Sequence, residues 1–184
     1  MRHTAPMSIS IAILDAAYTD NGAGVGCVLA EGWAAPAATA QFARHVPGAP
    51  QAYEPGAFYK RELPLLLATI QGLPRLPDAY VIDGYVWLGP DKPGLGARLY
   101  EALGRGVPVI GVAKTPFHGD TWSTPVPRGQ SKRPLHVNAV GIGAGEAAAL
   151  VAGMHGAHRI PTLLKLADRL ARDAAVKPGG EPAP

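Results

Sequence analysis

The order of extended and helical segments is the feature that most constrains how this chain can fold. Three runs with alternating apolar residues come first, and segments with helical periodicity then alternate with short apolar runs typical of buried strands. The predicted strands cover residues 8–18, 22–33, 38–46, 78–84, 107–114 and 134–142, and the predicted helices cover residues 57–73, 94–106, 145–156 and 161–174. This order predicts an α/β fold with one mixed β-sheet, in which a three-strand antiparallel meander is joined by parallel strands and flanked by helices.

Size and composition limit the chain to one domain. Of its 184 residues, 47% are hydrophobic and 17% are charged, which is enough to build a substantial core. We therefore predict a single domain over residues 1–175. The closing residues 176–184, VKPGGEPAP, offer little to bury and are predicted to form a disordered tail.

The cysteine content, the length of the apolar runs and the net charge indicate the cellular setting. The single cysteine, Cys27, cannot form an internal disulfide, which favours a reducing, cytoplasmic environment. No apolar run approaches the ~20 residues that a bilayer-spanning helix needs. The net charge of +3 permits a polyanionic partner without requiring one. We expect a cytoplasmic monomer with no membrane attachment.

Three acidic residues occur in apolar surroundings, where an unpaired charge costs several kcal/mol. Asp15 and Asp83 lie at the ends of predicted strands, and Glu62 lies at the start of a predicted helix. A divalent cation would neutralise them, and carboxylates without cysteine or paired histidines suit Mg²⁺ or Mn²⁺ rather than zinc. Such an ion could support phosphodiester hydrolysis. Ion pairs, or a tight turn at Asp83-Gly84, would explain the same residues.

Three motifs in a fixed order carry a family resemblance. They are YEPGAFYKRELPLLL at residues 53–67, YVIDGY at residues 80–85 and VPVIGVAK at residues 107–114. In order and separation they resemble the endonuclease V family, the deoxyinosine-directed nucleases with an RNase H-like fold. The segment RIPTLLKLADRLA at residues 159–171 is similar to the closing helix of that family. The motif positions matched here are Tyr53, Pro55, Gly56, Arg61, Glu62, Pro64, Asp83, Gly84 and Gly111–Lys114.

The resemblance implies a Mg²⁺-dependent endonuclease, with Mn²⁺ as a substitute, that cleaves on the 3′ side of inosine in DNA or possibly in RNA. Asp15, Glu62 and Asp83 would hold the metal ion, and Lys114 would contact a phosphate near the cleavage site. The resemblance also implies substrate-binding positions. Tyr53 would lie in the loop that separates the base pair, and the others are Pro55, Gly56, Phe58, Arg61 and Gly84, of which Gly56, Phe58 and Gly84 would line a pocket for the flipped base.

The sequence also departs from the family pattern. Glu54 places an acid in the strand-separating loop, where its charge would oppose binding to phosphates. Tyr85 follows Asp83-Gly84 where the family has a histidine, and a later family histidine corresponds to Gly141 here. His118 and His136 are candidates to replace it. These losses leave an alternative open, a catalytically eroded RNase H-like module that binds nucleic acid or a protein without cutting.

Overall fold

The computed structural model describes residues 9–48 and 57–176. Tyr53, Pro55 and Gly56, which the sequence predicts to bind substrate, lie outside the described residues, as do Glu54 and residues 177–184 of the predicted tail. Val176, the first residue of that predicted tail, still belongs to the last helix.

Seven of the nine described strands form one mixed sheet. The strands are β1 (Ser10–Thr19), β2 (Gly22–Glu31), β3 (Ala40–Pro47), β4 (Ala79–Asp83), β5 (Trp87–Gly89), β6 (Lys92–Pro93), β7 (Val109–Ala113), β8 (Thr124–Val126) and β9 (Leu135–Val140). The order in the large sheet is β3-β2-β1-β4-β7-β9-β8, and β5 pairs with β6 in a small separate ribbon. The predicted antiparallel meander β1–β3 and the parallel strands β4 and β7 are confirmed.

Helices cover both faces of the large sheet. They are α1 (Tyr59–Gln71), α2 (Leu95–Ala102), α3 (Ala144–Ala152) and α4 (Thr162–Val176). Apolar residues of α3 and α4 pack in one core with alternate residues of the strands, and those of α1 and α2 pack in a second core on the opposite face. Because both faces are covered, the central strands read as continuous apolar runs. No helix of the described residues is long and apolar enough to cross a bilayer.

Glycines in β2 let α4 approach the sheet unusually closely. A Cβ atom placed on Gly24 would lie 2.0 Å from the Ala171 carbonyl oxygen, and one on Gly26 would lie 2.3 Å from the Ala167 carbonyl oxygen. A side chain at either position would therefore collide with the helix backbone. Because Gly24 and Gly26 have no side chains, α4 can pack directly against the backbone of β2, and this sets its position over β1 and β2.

One local feature differs from the prediction. No strand is predicted between residues 114 and 134, but this stretch contains β8, whose three residues pair with β9 at the edge of the sheet. The predicted helix over residues 57–73 corresponds to α1, which contains Pro64. Glu62 lies in the first turn of α1, as predicted.

Candidate metal centre

Two of the predicted acids meet where the parallel pairing of β1 with β4 stops. Asp83 is the last residue of β4, but Asp15 lies in the middle of β1 and not near its end as predicted. In the pairing of β1 with β4, Leu14 lies opposite Ile82, so Asp15 and Asp83 are the next residues along each strand. Side chains alternate between the faces of a strand. Ile13 and Val81, two residues earlier, both belong to the core under α4. Asp15 and Asp83 therefore extend from the same face, towards α4.

A third carboxylate arrives from α4. Asp168 offers an oxygen that lies within 4.8 Å of oxygens from Asp15 and Asp83, so that the three residues form a group able to hold a metal ion. Asp168 is not among the ligands predicted from the sequence. Its position four residues before Arg172, with which it forms a 3.1 Å ion pair, is typical of an ordinary exposed helix pair.

Lys114 supplies the positive charge nearest this group. Its ammonium lies 2.5 Å from Asp83 Oδ2 and 3.8 Å from Asp168 Oδ1. Burial of the ammonium acts to lower its pKa, but the surrounding carboxylates, Asp83 first, outweigh burial and raise the pKa of Lys114 above its ordinary value. Lys114 therefore remains charged and partly neutralises the acids.

Glu62 reaches the same region from the opposite face of the sheet. Its side chain is buried, and burial together with the charges of Asp15 and Asp83 raises its pKa to about 8. Burial and the charge of Asp83 likewise raise the pKa of Asp15 to about 7. Glu62 is thus electrostatically coupled to the cluster, although it is not one of the three residues whose oxygens lie within 4.8 Å.

Arg61 and Tyr18 accompany Glu62. The Arg61 guanidinium lies 3.4 Å from the centroid of the Tyr18 ring, a cation–π contact. Burial and the Glu62 charge raise the pKa of the Tyr18 hydroxyl. Within the described residues neither Arg61 Nε nor the Tyr18 hydroxyl has a hydrogen-bond partner of good geometry. Arg61, predicted to bind substrate, is in this structure stacked on an aromatic ring.

Asp15, Glu62 and Asp83, but not Asp168, line one side of an open cleft of about 480 Å³. Of the residues predicted to bind substrate, Phe58 and Gly84 line it, together with Tyr85 and Phe117. Gly84 has a φ of +134°, a backbone conformation that other residues rarely adopt, and a Cβ there would meet nothing within 4 Å. The cleft therefore combines a carboxylate cluster, a lysine and aromatic walls.

The two histidines considered as replacements do not line this cleft. His136 Nδ1 lies 3.7 Å from Asp120 Oδ2 and 3.4 Å from Ser123 Oγ, behind the cleft wall. Asp120 also accepts a 2.7 Å hydrogen bond from the Tyr85 hydroxyl. His118 is exposed on the loop after Phe117. Tyr85, not a histidine, is the side chain that follows Asp83-Gly84 at the cleft.

The donor set of the cluster fits a hard divalent cation. Carboxylate oxygens from Asp15, Asp83 and Asp168 converge without any sulfur or imidazole, which is the donor chemistry of Mg²⁺ and Mn²⁺. Burial first, and then the negative charges of Asp83 and Asp168, raise the pKa of Asp15, and a bound cation would offset both effects by stabilising the carboxylate. Glu62 would be a ligand only after its carboxylate moved closer.

Comparison with known proteins supplies the family. Residues 2–146, well over half of the chain, match the family Endonuclease V. This chain belongs to the Endonuclease V family. The Endonuclease V of Streptomyces coelicolor is 33% identical over an alignment of 143 residues, with 66% of this chain and 60% of that relative covered. The Endonuclease V of Streptomyces avermitilis is 40% identical over 91 residues, 50% of this chain and 38% of the relative. The chain therefore covers less than two thirds of the length of these Endonuclease V relatives.

Solved structures of Endonuclease V agree with the fold. The crystal structure from S. avermitilis matches with a TM-score of 0.71 at 27% identity, covering 92% of this chain and 82% of that one. A Ciona intestinalis Endonuclease V variant, D234N, in complex with a 23mer DNA containing an inosine followed by a ribo-adenosine, matches with a TM-score of 0.76 at 17% identity, covering 91% and 86% of the two chains. The RNase H-like Endonuclease V architecture predicted from the sequence is thus confirmed. Asp168 lies beyond the segment matched to the family.

Proposed function

We propose that this protein is a metal-dependent endonuclease that hydrolyses the phosphodiester on the 3′ side of a deaminated base, inosine, in a nucleic-acid strand. The observation that carries the proposal is the convergence of Asp15, Asp83 and Asp168 beside Lys114, where Asp15, Asp83 and Lys114 line an open cleft. Membership of the Endonuclease V family supports the same reaction. We infer that the protein works in the cytoplasm, where Cys27 would stay reduced.

Each residue of the site has a role in this proposal. Asp15, Asp83 and Asp168 would hold Mg²⁺ or Mn²⁺, with Glu62 as the fourth acid of the cluster. When bound, such an ion lowers the pKa of a coordinated water and polarises the phosphoryl oxygens. Lys114 stays charged and can place its ammonium against a phosphate oxygen, where it would stabilise the negative charge that builds up during hydrolysis.

The cleft gives the proposal its base-binding part. Phe58, at the N-terminal end of α1, is about 40% exposed, and it lines the cleft opposite Phe117. Exposed aromatic rings provide stacking surfaces for an unpaired base. The backbone at Gly84 lies open to the cleft, so that a purine edge could approach its peptide groups.

The nucleic-acid substrate is the finer part of the proposal. The Ciona intestinalis relative was solved with inosine-containing DNA. Because this chain covers only part of its relatives and departs from the family at Tyr85, both DNA and RNA carrying inosine are candidate substrates. The predicted Tyr53 would lie in the loop that separates the base pair at the lesion, and Gly56 would line the pocket for the flipped base.

A nicking assay tests the proposal. A fluorescent duplex with one inosine is incubated with the protein and either Mg²⁺, Mn²⁺ or a chelator, and parallel reactions use a single-stranded RNA with inosine. We expect metal-dependent cleavage of a phosphodiester on the 3′ side of the inosine, which leaves a 3′-hydroxyl and a 5′-phosphate. Asp83→Asn should reduce the rate by at least about a thousandfold, since a ligand is lost at the reacting centre. Asp91→Asn, which removes an exposed acid outside the cleft, should cut normally.

The second candidate is binding without cleavage. The tyrosine at position 85, in place of the family histidine, is the observation that favours it. In that case the protein would bind inosine-containing duplexes more tightly than undamaged ones, but no product would form with either metal. Cleavage that disappears in Glu62→Gln would reject this candidate.

A further inference from the structure

A second cavity lies beside α4 and shares no lining residue with the cleft at the metal centre. It has a volume of about 600 Å³ and is bounded by the loop after β2, the segment before α4 and the first two turns of α4. The motif matches and the metal centre leave this cavity without a role. A space of this size is enough for a small organic ligand or a few groups of a polymer.

The walls of this second cavity are apolar at the base and basic at the rim. Ala38, Ile160 and Leu163 contribute the apolar base, and Lys165 and Arg169 stand at the rim. Lys165 and Arg169 are one helical turn apart, which places both side chains on the same side of α4. His155 and His158 extend the rim from the preceding loop.

The rim cations have no counterion among the residues that the structure describes. No carboxylate lines the cavity, and within residues 9–48 and 57–176 neither Lys165 nor Arg169 forms an ion pair. The nearest acid along the helix, Asp168, is engaged with Lys114 and Arg172. Asp173, one turn after Arg169, is exposed and is not part of the cavity. Two neighbouring cations therefore remain available to an external anion.

The position of Lys165 and Arg169 relative to the metal centre favours a nucleic-acid ligand. Lys165 and Arg169 bracket Asp168 in the sequence, so their Cα atoms lie within about 5 Å of the Asp168 Cα along the helix. A strand whose phosphate reached the carboxylate cluster could therefore extend across α4 to this cavity. Phosphates repeat regularly along one strand, and sugar and base are less polar than the phosphate between them.

We propose that this second cavity is a binding subsite for an unpaired nucleic-acid strand outside the cleft, in which Lys165 and Arg169 contact consecutive phosphates and a sugar–base unit covers the apolar base. The subsite extends the proposed nuclease function to a segment of strand beyond the cleavage site. It does not need the metal ion or the modified base. Its binding can therefore be measured separately from cleavage.

The first experiment measures binding of an unmodified single-stranded 12-mer of thymidylate by fluorescence anisotropy, in chelator, at several salt concentrations. The double variant Lys165→Ala/Arg169→Ala should bind roughly tenfold more weakly, and the slope of log affinity against log salt should fall by about 1.4, the value for two lost phosphate contacts on a single strand. The matched control is Arg75→Ala/Arg105→Asn, which removes the same charge from two arginines that are already paired with Glu31 and Glu101. Asparagine is chosen at position 105 because Arg105 has a φ of +61°.

The control should retain the wild-type slope. If both double variants lose affinity and slope equally, net charge alone explains the effect and the subsite is rejected. If the Lys165/Arg169 variant binds as the wild type does, the subsite is also rejected. Circular dichroism and melting curves of the variants establish that these exposed substitutions leave the fold intact.

The second experiment places a reporter in the cavity. Cys27 is fully buried, so Ala37→Cys gives one reactive thiol, at the rim, for an environment-sensitive fluorophore. Binding of the 12-mer should change the emission of the fluorophore, and a glutamate peptide of equal charge should not displace the 12-mer. Displacement by the peptide would mean that the cavity recognises charge alone or binds an acidic protein segment. No emission change at a saturating 12-mer concentration would mean that the strand binds elsewhere. Either result overturns the proposal.

The outcomes also separate this inference from the proposed function. A protein that loses 12-mer binding in the Lys165/Arg169 variant, yet never nicks inosine-containing DNA or RNA, would retain the subsite and refute the nuclease. A protein that nicks at inosine but shows no difference between the two double variants would retain the nuclease and refute the subsite.

Discussion

The close approach of α4 to β2 predicts that a single methyl group will disturb the metal centre. In Gly26→Ala the new Cβ would lie 2.3 Å from the Ala167 carbonyl oxygen and 2.8 Å from the Ala171 amide nitrogen. Both contacts are to backbone atoms, which cannot rotate away. Ordinary contacts of this kind begin near 3.4 Å, so α4 must shift by about 1 Å at the residue next to Asp168.

The expected cost follows from overpacking. An extra methyl group in a tightly packed core costs about 1–3 kcal/mol. For a domain of this size that corresponds to a fall in melting temperature of about 2–12 °C. Because the shift occurs beside Asp168, affinity for Mn²⁺ should also fall, by about tenfold, as a ligand leaves its best position. Differential scanning calorimetry and isothermal titration with Mn²⁺ measure the two effects.

Gly145→Ala is the matched control. Gly145 lies in the first turn of α3, and a Cβ there would meet nothing within 4 Å. The same chemical change should leave Mn²⁺ affinity unaltered and raise stability by about 0.5–1 kcal/mol, as alanine is the better helix former. If Gly26→Ala matched this control in melting temperature and metal affinity, α4 would not lie against β2 as described, and the reasoning that places Asp168 in the cluster would be refuted.

Three further predictions concern the buried ionisable groups. Asp168→Asn should weaken Mn²⁺ binding at least about tenfold in calorimetric titrations, whereas Asp173→Asn, on the exposed side of α4, should not; equal affinities would remove α4 from the site. Burial and mutual repulsion raise the pKa of Asp15 from 3.8 to about 7 and the pKa of Glu62 from 4.5 to about 8. The contribution of each acid to stability is therefore complete at a pH below its ordinary pKa, and it is lost as the pH rises through its raised pKa. Urea unfolding without metal should therefore show stability declining less between pH 5 and 9 in Glu62→Gln than in the wild type, and parallel pH profiles would contradict the coupling. Burial raises the pKa of the Cys27 thiol to about 12, so a disulfide reagent should modify it only at the rate of unfolding, and rapid modification of the native protein would contradict its position in β2.

The sheet and two of its acids could be predicted from the sequence because the pattern of apolar residues along a strand reflects which residues are buried. Asp15 and Asp83 interrupt apolar runs at positions where a charge is costly, and parallel neighbours end at the same edge of a sheet, so their meeting could be anticipated. The short strand β8 could not be predicted, since three residues in a stretch rich in proline and glycine are too few to show a strand pattern. Its pairing with β9 arises from tertiary contact alone.

Asp168 escaped prediction for a different reason. An acid on an amphipathic helix, four residues before an arginine, has the same local sequence whether it faces solvent or a metal centre. The close packing of α4 on Gly24 and Gly26 is what turns Asp168 towards the metal centre and not towards solvent. This packing depends on contacts between residues more than 140 positions apart, which local sequence does not show. Glu62 shows the reverse case, in which the residue was identified but its place in the first coordination sphere stays a prediction.

The separation of Asp168 from Asp15 and Asp83 along the chain has a consequence for synthesis in the cell. Asp15 and Asp83 leave the ribosome long before α4 is made, yet the carboxylate group is complete only when residue 168 has packed across strands formed first. A nascent chain would thus carry an incomplete centre until α4 has emerged and packed.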